Sequence, residues 1–302
     1  MAEDHMLRKK IVLRAVAAAI VLAAATTAPA FALGASAAPS QSVFFVAQLN
    51  GNNEVTADGT RGAGDTDGRA TELLRIRGDQ LTFAATWTGI GAPIAGHIHQ
   101  GAAGTNGAVV VPYFAGALPD TLTAFRGTVT VSDPALVAAI EASPESFYAN
   151  LHTAAFPTGA VRGQLHRLGV SGGFAIPALG LGSLTSLANG ANEVPAADPD
   201  GRAITKVRAS GTTVAFAIAW AGIGAPTASH IHQGAAGANG AVVVPFFSAA
   251  AGLPTSFSAV AGSVPNISAD LVTQINRQPA GFYANIHTAE FPTGAVRGQL
   301  FR

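Results

Sequence analysis

Apolar and polar residues alternate with a period of two along much of the chain. In the first half such runs fall at 42–50, 68–76, 80–88, 95–99, 108–113, 123–130, 147–153 and 160–166, separated by Gly, Pro and Asn turns. Successive side chains of a strand point to opposite faces, so each run predicts a strand with one apolar face. Seven or eight short strands in succession predict an antiparallel sandwich or Greek-key barrel. One stretch breaks the period: Asp133-Pro134 precedes Leu136, Val137 and Ile140 at helical spacing. Asp133 suits the N-cap of a short helix and Pro134 its first position.

The pattern comes twice. GHIHQGAAGTNGAVVVPYF (96–114) returns as SHIHQGAAGANGAVVVPFF (229–247), with 16 of 19 positions identical. FYANLHTAAFPTGAVRGQL (147–165) returns as FYANIHTAEFPTGAVRGQL (282–300), with 17 of 19 identical. The helix recurs with different residues, Ser268 as its cap and Leu271, Val272 and Ile275 as its apolar positions. The expected fold is all-β: two tandem antiparallel Greek-key β-sandwich domains, each with one short helix. They are placed at 41–167 and 185–302, joined by a Gly- and Ser-rich linker at 168–184.

The chain ahead of the first domain has a different character. Arg8, Lys9, Lys10 and Arg14 precede the apolar run AVAAAIVLAAA (15–25), and small residues follow. Ala30-Phe31-Ala32 and Ala35-Ser36-Ala37 both fit a cleavage point. Residues 1–37 therefore read as a signal peptide, which predicts a secreted or periplasmic protein with no membrane span after its removal. Charge adds two expectations. The 302 residues carry 17 basic and 17 acidic side chains, only 11% of the chain. No basic face for nucleic acid is visible, and a weakly charged surface favours self-association or a cell-surface partner. The chain has no cysteine, which excludes disulfides, thiolate nucleophiles and Cys-ligated metals.

Histidine is left as the carrier of chemistry. In the HIH strands Ile98 and Ile231 point to the core, so His97 and His99, and likewise His230 and His232, share the opposite face about 6–7 Å apart. In FYANLHT the residues opposite the core are Tyr148, Asn150 and His152; in the second copy they are Tyr283, Asn285 and His287. If the two strands of each copy are neighbours, each domain assembles three histidines: His97, His99 and His152, then His230, His232 and His287. Such a set suits Cu(II), zinc or nickel. Hydrogen-bonded sheet histidines beneath a loop are the plain alternative. No carboxylate occurs in matched positions within these blocks, which argues against acid–base hydrolysis. Arg162 and Arg297 are expected to form an internal ion pair with the acids present in both copies, Glu54/Glu193 and Asp67/Asp200. An anion-binding arginine above the metal is the alternative. Trp87, Trp220, Tyr148 and Tyr283 read as packing residues more than as a carbohydrate platform.

The blocks GHIHQG, FYANLHT and GAVRGQL resemble the CHRD family, the domain first named from chordin. Two tandem copies would cover nearly all of the mature chain, with Ser229 the one departure in the leading glycine. The resemblance implies a secreted protein without assigning it a reaction. Growth-factor binding in chordin is associated with cysteine-rich modules that this chain lacks. The HxH strand is also similar to the copper-binding strand of copper/zinc superoxide dismutases, which are β-sandwiches; His97, His99, His230 and His232 would match it. Disulfide cysteines, a bridging histidine and a histidine-rich zinc loop are missing. The expected function is an exported metal-binding protein, with copper preferred and zinc the other candidate, and not an enzyme. The alternatives are a metal-free structural or adhesion protein of the cell surface or matrix, and a dismutase-like redox enzyme.

Overall fold

A computed structural model of the chain describes residues 41–169 and 184–302. The predicted signal peptide (1–37) and residues 170–183 of the predicted linker lie outside the described residues. The structure is all-β with two short helices, in two domains. The first half contains β1 (Val43–Asn50), β2 (Arg69–Arg77), β3 (Gln80–Thr88), β4 (Pro93–Gln100), β5 (Val109–Ala115), β6 (Leu122–Thr130), α1 (Pro134–Ala142), β7 (Phe147–Thr153), β8 (Val161–Gln164) and β9 (His166–Leu168). Each predicted run forms a strand, and the last is divided at Leu165.

The second half repeats this with β10 (Leu184–Asn189), β11 (Arg202–Ser210), β12 (Thr213–Ala221), β13 (Pro226–Gln233), β14 (Ala241–Ser248), β15 (Phe257–Val264), α2 (Ala269–Arg277), β16 (Phe282–Thr288) and β17 (Val296–Phe301). Both helix caps form as the sequence predicts. Asp133 accepts from the Ala135 amide at 2.8 Å and Ser268 from the Leu271 amide at 3.2 Å, satisfying amides that have no partner within the helix.

All the ladders are antiparallel. In the first half they run β5–β4–β7–β8, with β1 beside β8 and β9, then β2, β3 and β6. The second half runs β14–β13–β16–β17–β10–β11–β12–β15. The halves join where β6 pairs β15, so one sheet passes through both. Phe125 and Val260 face each other at the centre of that junction, with Ala259↔Arg126 and Ala261↔Ala124 on either side. Gly262 is required there: a Cβ would lie 2.0 Å from the Thr121 carbonyl oxygen.

The core takes the inward residues of every strand, among them Phe45, Phe83, Phe125, Ile98, Leu151, Phe216, Ile231 and Ile286, and it is continuous across the junction. Trp87 lies in it against Phe125, at 5.5 Å between ring centroids, and Trp220 packs against its margin. Both tryptophans are packing residues. β7 is buried along its whole length. Its inner face, Phe147, Ala149 and Leu151, meets the core. Its outer face lies beneath the loops that follow β1 and β4, which Asn106 ties together by donating to the carbonyls of Val55 and Thr56, each at 3.1 Å. Among the described residues no helix is long and apolar enough to cross a membrane.

Candidate metal centres

β4 and β7 are neighbours, with His97 opposite Asn150 and His99 opposite Tyr148. β13 and β16 repeat this, His230 opposite Asn285 and His232 opposite Tyr283. The pairing brings the six predicted residues into two clusters. One ring nitrogen from each of His97, His99 and His152 lies within 4.8 Å of the others, and the same holds for His230, His232 and His287. His166 takes no part and is exposed on β9; His5 lies outside the described residues.

The hydrogen bonds fix where the protons sit. His99 Nδ1 faces the Gly107 carbonyl at 3.0 Å, and His152 Nδ1 faces that of Pro157 at 3.1 Å. A carbonyl only accepts, so both Nδ1 atoms carry hydrogen and both Nε2 atoms carry a lone pair. His152 Nε2 stands 3.2 Å from His97 Nδ1, which therefore donates to it. The second cluster matches: His232 Nδ1 to Gly240 at 2.9 Å, His287 Nδ1 to Pro292 at 3.0 Å, and His230 Nδ1 to His287 Nε2 at 3.2 Å.

His99 Nε2 and His232 Nε2 are buried acceptors without any donor. Such a group costs about 1–3 kcal/mol, and a cation among the three rings removes that cost. The donor set fits one that takes the place of the His97–His152 hydrogen bond: neutral imidazoles, two of them oriented by a carbonyl on the far nitrogen, as metal-bound histidines typically are. Burial disfavours the charged form of five of the rings. It pushes His97 down to about 4, with His152 and His99 adding to the effect. His230 falls to about 4, chiefly by burial and then through His287 and His232. His99, His152 and His287 are also lowered, in each case mainly by burial.

Beside each cluster stands a stack of three planar groups. The Tyr148 ring lies over the His99 ring, 4.8 Å between centroids and 7° from parallel, and Arg162 Cζ sits 3.6 Å from the centroid of the same tyrosine. In the second half the values are 4.8 Å, 8° and 3.8 Å for His232, Tyr283 and Arg297. The Gly107 amide donates to Tyr148 Oη at 3.1 Å, so one glycine grips both tyrosine and histidine. A Cβ on Gly107 would fall 1.6 Å from the Gln100 carbonyl oxygen, so only glycine allows this approach.

The arginines correct the sequence expectation. Arg162 is 1% exposed and donates to the carbonyl of Thr105 at 2.8 Å and to Asn106 Oδ1 at 3.2 Å, with no ion pair to Glu54. Asp67 and Asp200 are exposed in turns. Nor is Arg162 open above the metal pocket, since loop carbonyls satisfy it. Glu54 and Glu193 are the residues whose position the sequence did not reveal. Both are buried, each with Oε1 unpartnered. Burial lifts Glu54 to about 7 against the pull of Arg162 and a hydrogen bond from Asn150. Glu193 rises to about 7 by burial, opposed by Arg297. Their recurrence in both copies was the available signal.

Residues 45–165 and 184–300 each match the CHRD domain, and the chain belongs to that family. No curated protein matches the chain. Two CHRD domains, each with a three-histidine cluster able to hold a metal ion, define the class of protein at hand.

Proposed function

We propose that this is an exported metal-binding protein that holds one divalent first-row ion in each domain. His97, His99 and His152 are the ligands of the first site, and His230, His232 and His287 those of the second. The observation that carries the reading is the buried Nε2 of His99 and of His232, each left without a donor beside two further imidazole nitrogens. Copper is preferred. Neutral nitrogen ligands follow the first-row affinity order that puts Cu(II) above zinc, and no thiolate is present to reverse it. A bound ion would supply Lewis acidity or, for copper, one-electron chemistry. The protein supplies fixed rings, an acceptor for the outer N–H of two of them, and shelter beneath the glycine-rich loop. Within the domains at 41–167 and 185–302, the ladder order is read as a Greek-key sandwich. Export is read from the basic and apolar run of residues 8–25.

Elemental analysis of untagged protein, with copper and zinc titrations of wild type and of a His97→Ala, His230→Ala double variant, tests this. Two ions per chain, lost in the variant, is the expected result. No ion in either protein overturns the reading and leaves a metal-free structural or adhesion protein.

A further inference from the structure

The arginine is the least expected part of each site. It is a full positive charge, 1% exposed in both copies, placed one aromatic ring away from a cluster that would bind a cation. Burying a guanidinium is costly unless its hydrogens are all used. Here the glycine-rich loop accepts from it: the Thr105 carbonyl and Asn106 Oδ1 in the first half, and the Ala238 carbonyl at 2.8 Å and Asn239 Oδ1 at 2.9 Å in the second. The loop held in this way presents Gly107 or Gly240, the residue whose carbonyl fixes the histidine proton on Nδ1. The guanidinium meanwhile presses the tyrosine face against the imidazole. Two routes, one through the ring stack and one through the loop, thus run from the arginine to the same histidine.

Resting on the metal-binding reading above, we propose that Arg162 and Arg297 are positioning residues of the two sites, holding His99 and His232 in the ring rotation and tautomer that leave Nε2 free for the ion. The arginine touches neither ion nor solvent. Removing it frees the loop to move and His99 to rotate or exchange its Nδ1 proton for one on Nε2, which would close the ligand atom.

The two-site chain supplies its own control. Copper titration of wild type and of Arg162→Met, followed by Cu(II) electron paramagnetic resonance, compares an altered first site with an untouched second. Removing outer partners of metal ligands costs roughly 10–100-fold in affinity, and an arginine acting through them is expected at the lower end, about tenfold. The first site should weaken by that factor with a changed Cu(II) spectrum, while the second keeps its affinity and signal. Two sites with wild-type affinity and spectra in the variant would overturn the proposal. If Arg162→Met does not fold, Arg162→Lys keeps the charge and loses the planar stack, and the same one-site change is expected; unchanged spectra there also overturn it. A wild-type protein that takes up no copper is a separate outcome, which removes the metal reading itself and this proposal with it.

Discussion

The two halves are alike around their histidines and differ within their cores. Around the histidines they are superimposable in detail: both His–His contacts measure 3.2 Å, and the tyrosine stacks agree at 4.8 Å and within a degree of tilt. In the core they part. Glu72 on β2 is fully buried, with Tyr113 donating to Oε1, Oε2 unpartnered and Phe83 stacked on the tyrosine at 4.2 Å. Burial lifts this carboxyl to about 8, against the hydrogen bond from Tyr113. The equivalent residues of the second half are Thr205 and Phe246, where Phe216 stacks on Phe246 at 4.6 Å. A core accepts any set of side chains that fills its volume and satisfies its polar atoms. The three histidines, the tyrosine and the arginine of the outer face are the same residues in both halves.

The comparison breaks most sharply at the ligands. His99→Ala should abolish one of two ions while leaving the second half loaded, and His232→Ala should do the reverse; metal analysis of each variant reads this directly. Next is the junction the halves share. Gly262→Val drives a side chain into the Thr121 carbonyl, and the expected loss is about 3 kcal/mol, the upper end of overpacking, measured by urea denaturation.

The core difference is sharpened by Tyr113→Phe, which leaves both Glu72 oxygens unpartnered. It should cost about 1–3 kcal/mol. Glu72→Thr combined with Tyr113→Phe writes the second half into the first and should recover most of that loss.

The smallest effect is on pH. Glu54, Glu193 and Glu72 are raised on folding, so their stabilisation of the metal-free protein is full below pH 4.5 and drains as pH rises towards 7 and 8. His97 and His230 are lowered, so theirs is full above pH 6.5 and drains as pH falls towards 4. The two slopes oppose one another between 4.5 and 6.5. Above 6.5 the carboxyls alone act, and melting temperature should decline up to pH 8, less steeply in Glu72→Gln.

Much of this was legible in the alternation of apolar and polar residues. Period two placed the eight runs that form the nine strands of the first half, and it put His97, His99 and His152 on one face because Ile98 and Leu151 had to be inside. The neighbouring of β4 and β7 was assumed from the sequence and is found in the ladder. Less was legible where the partner was backbone. Arg162 was matched to carboxylates because the chain shows side-chain charges and not carbonyls, whereas loop carbonyls and a tyrosine face satisfy it. Glu54 lies far from the histidine blocks along the chain, and only the folding of its loop over β7 brings it to Asn150. The β6–β15 junction was hidden for another reason: two strands of equivalent sequence give no sign that they pair with each other.

That junction has a symmetry of its own. Phe125 meets Val260, its counterpart in the other half, and Leu122↔Gly262 mirrors Phe257↔Gly127. Self-complementary pairing about a central point is the signature of a homodimer on its two-fold axis. Here both partners belong to one polypeptide, so the association is intramolecular and does not weaken on dilution. A separate pair of identical subunits must change both copies of a residue at once. This fused pair is free to keep Arg126 on one strand and Ala261 on the other, and to hold a carboxyl in one core and a threonine in its twin.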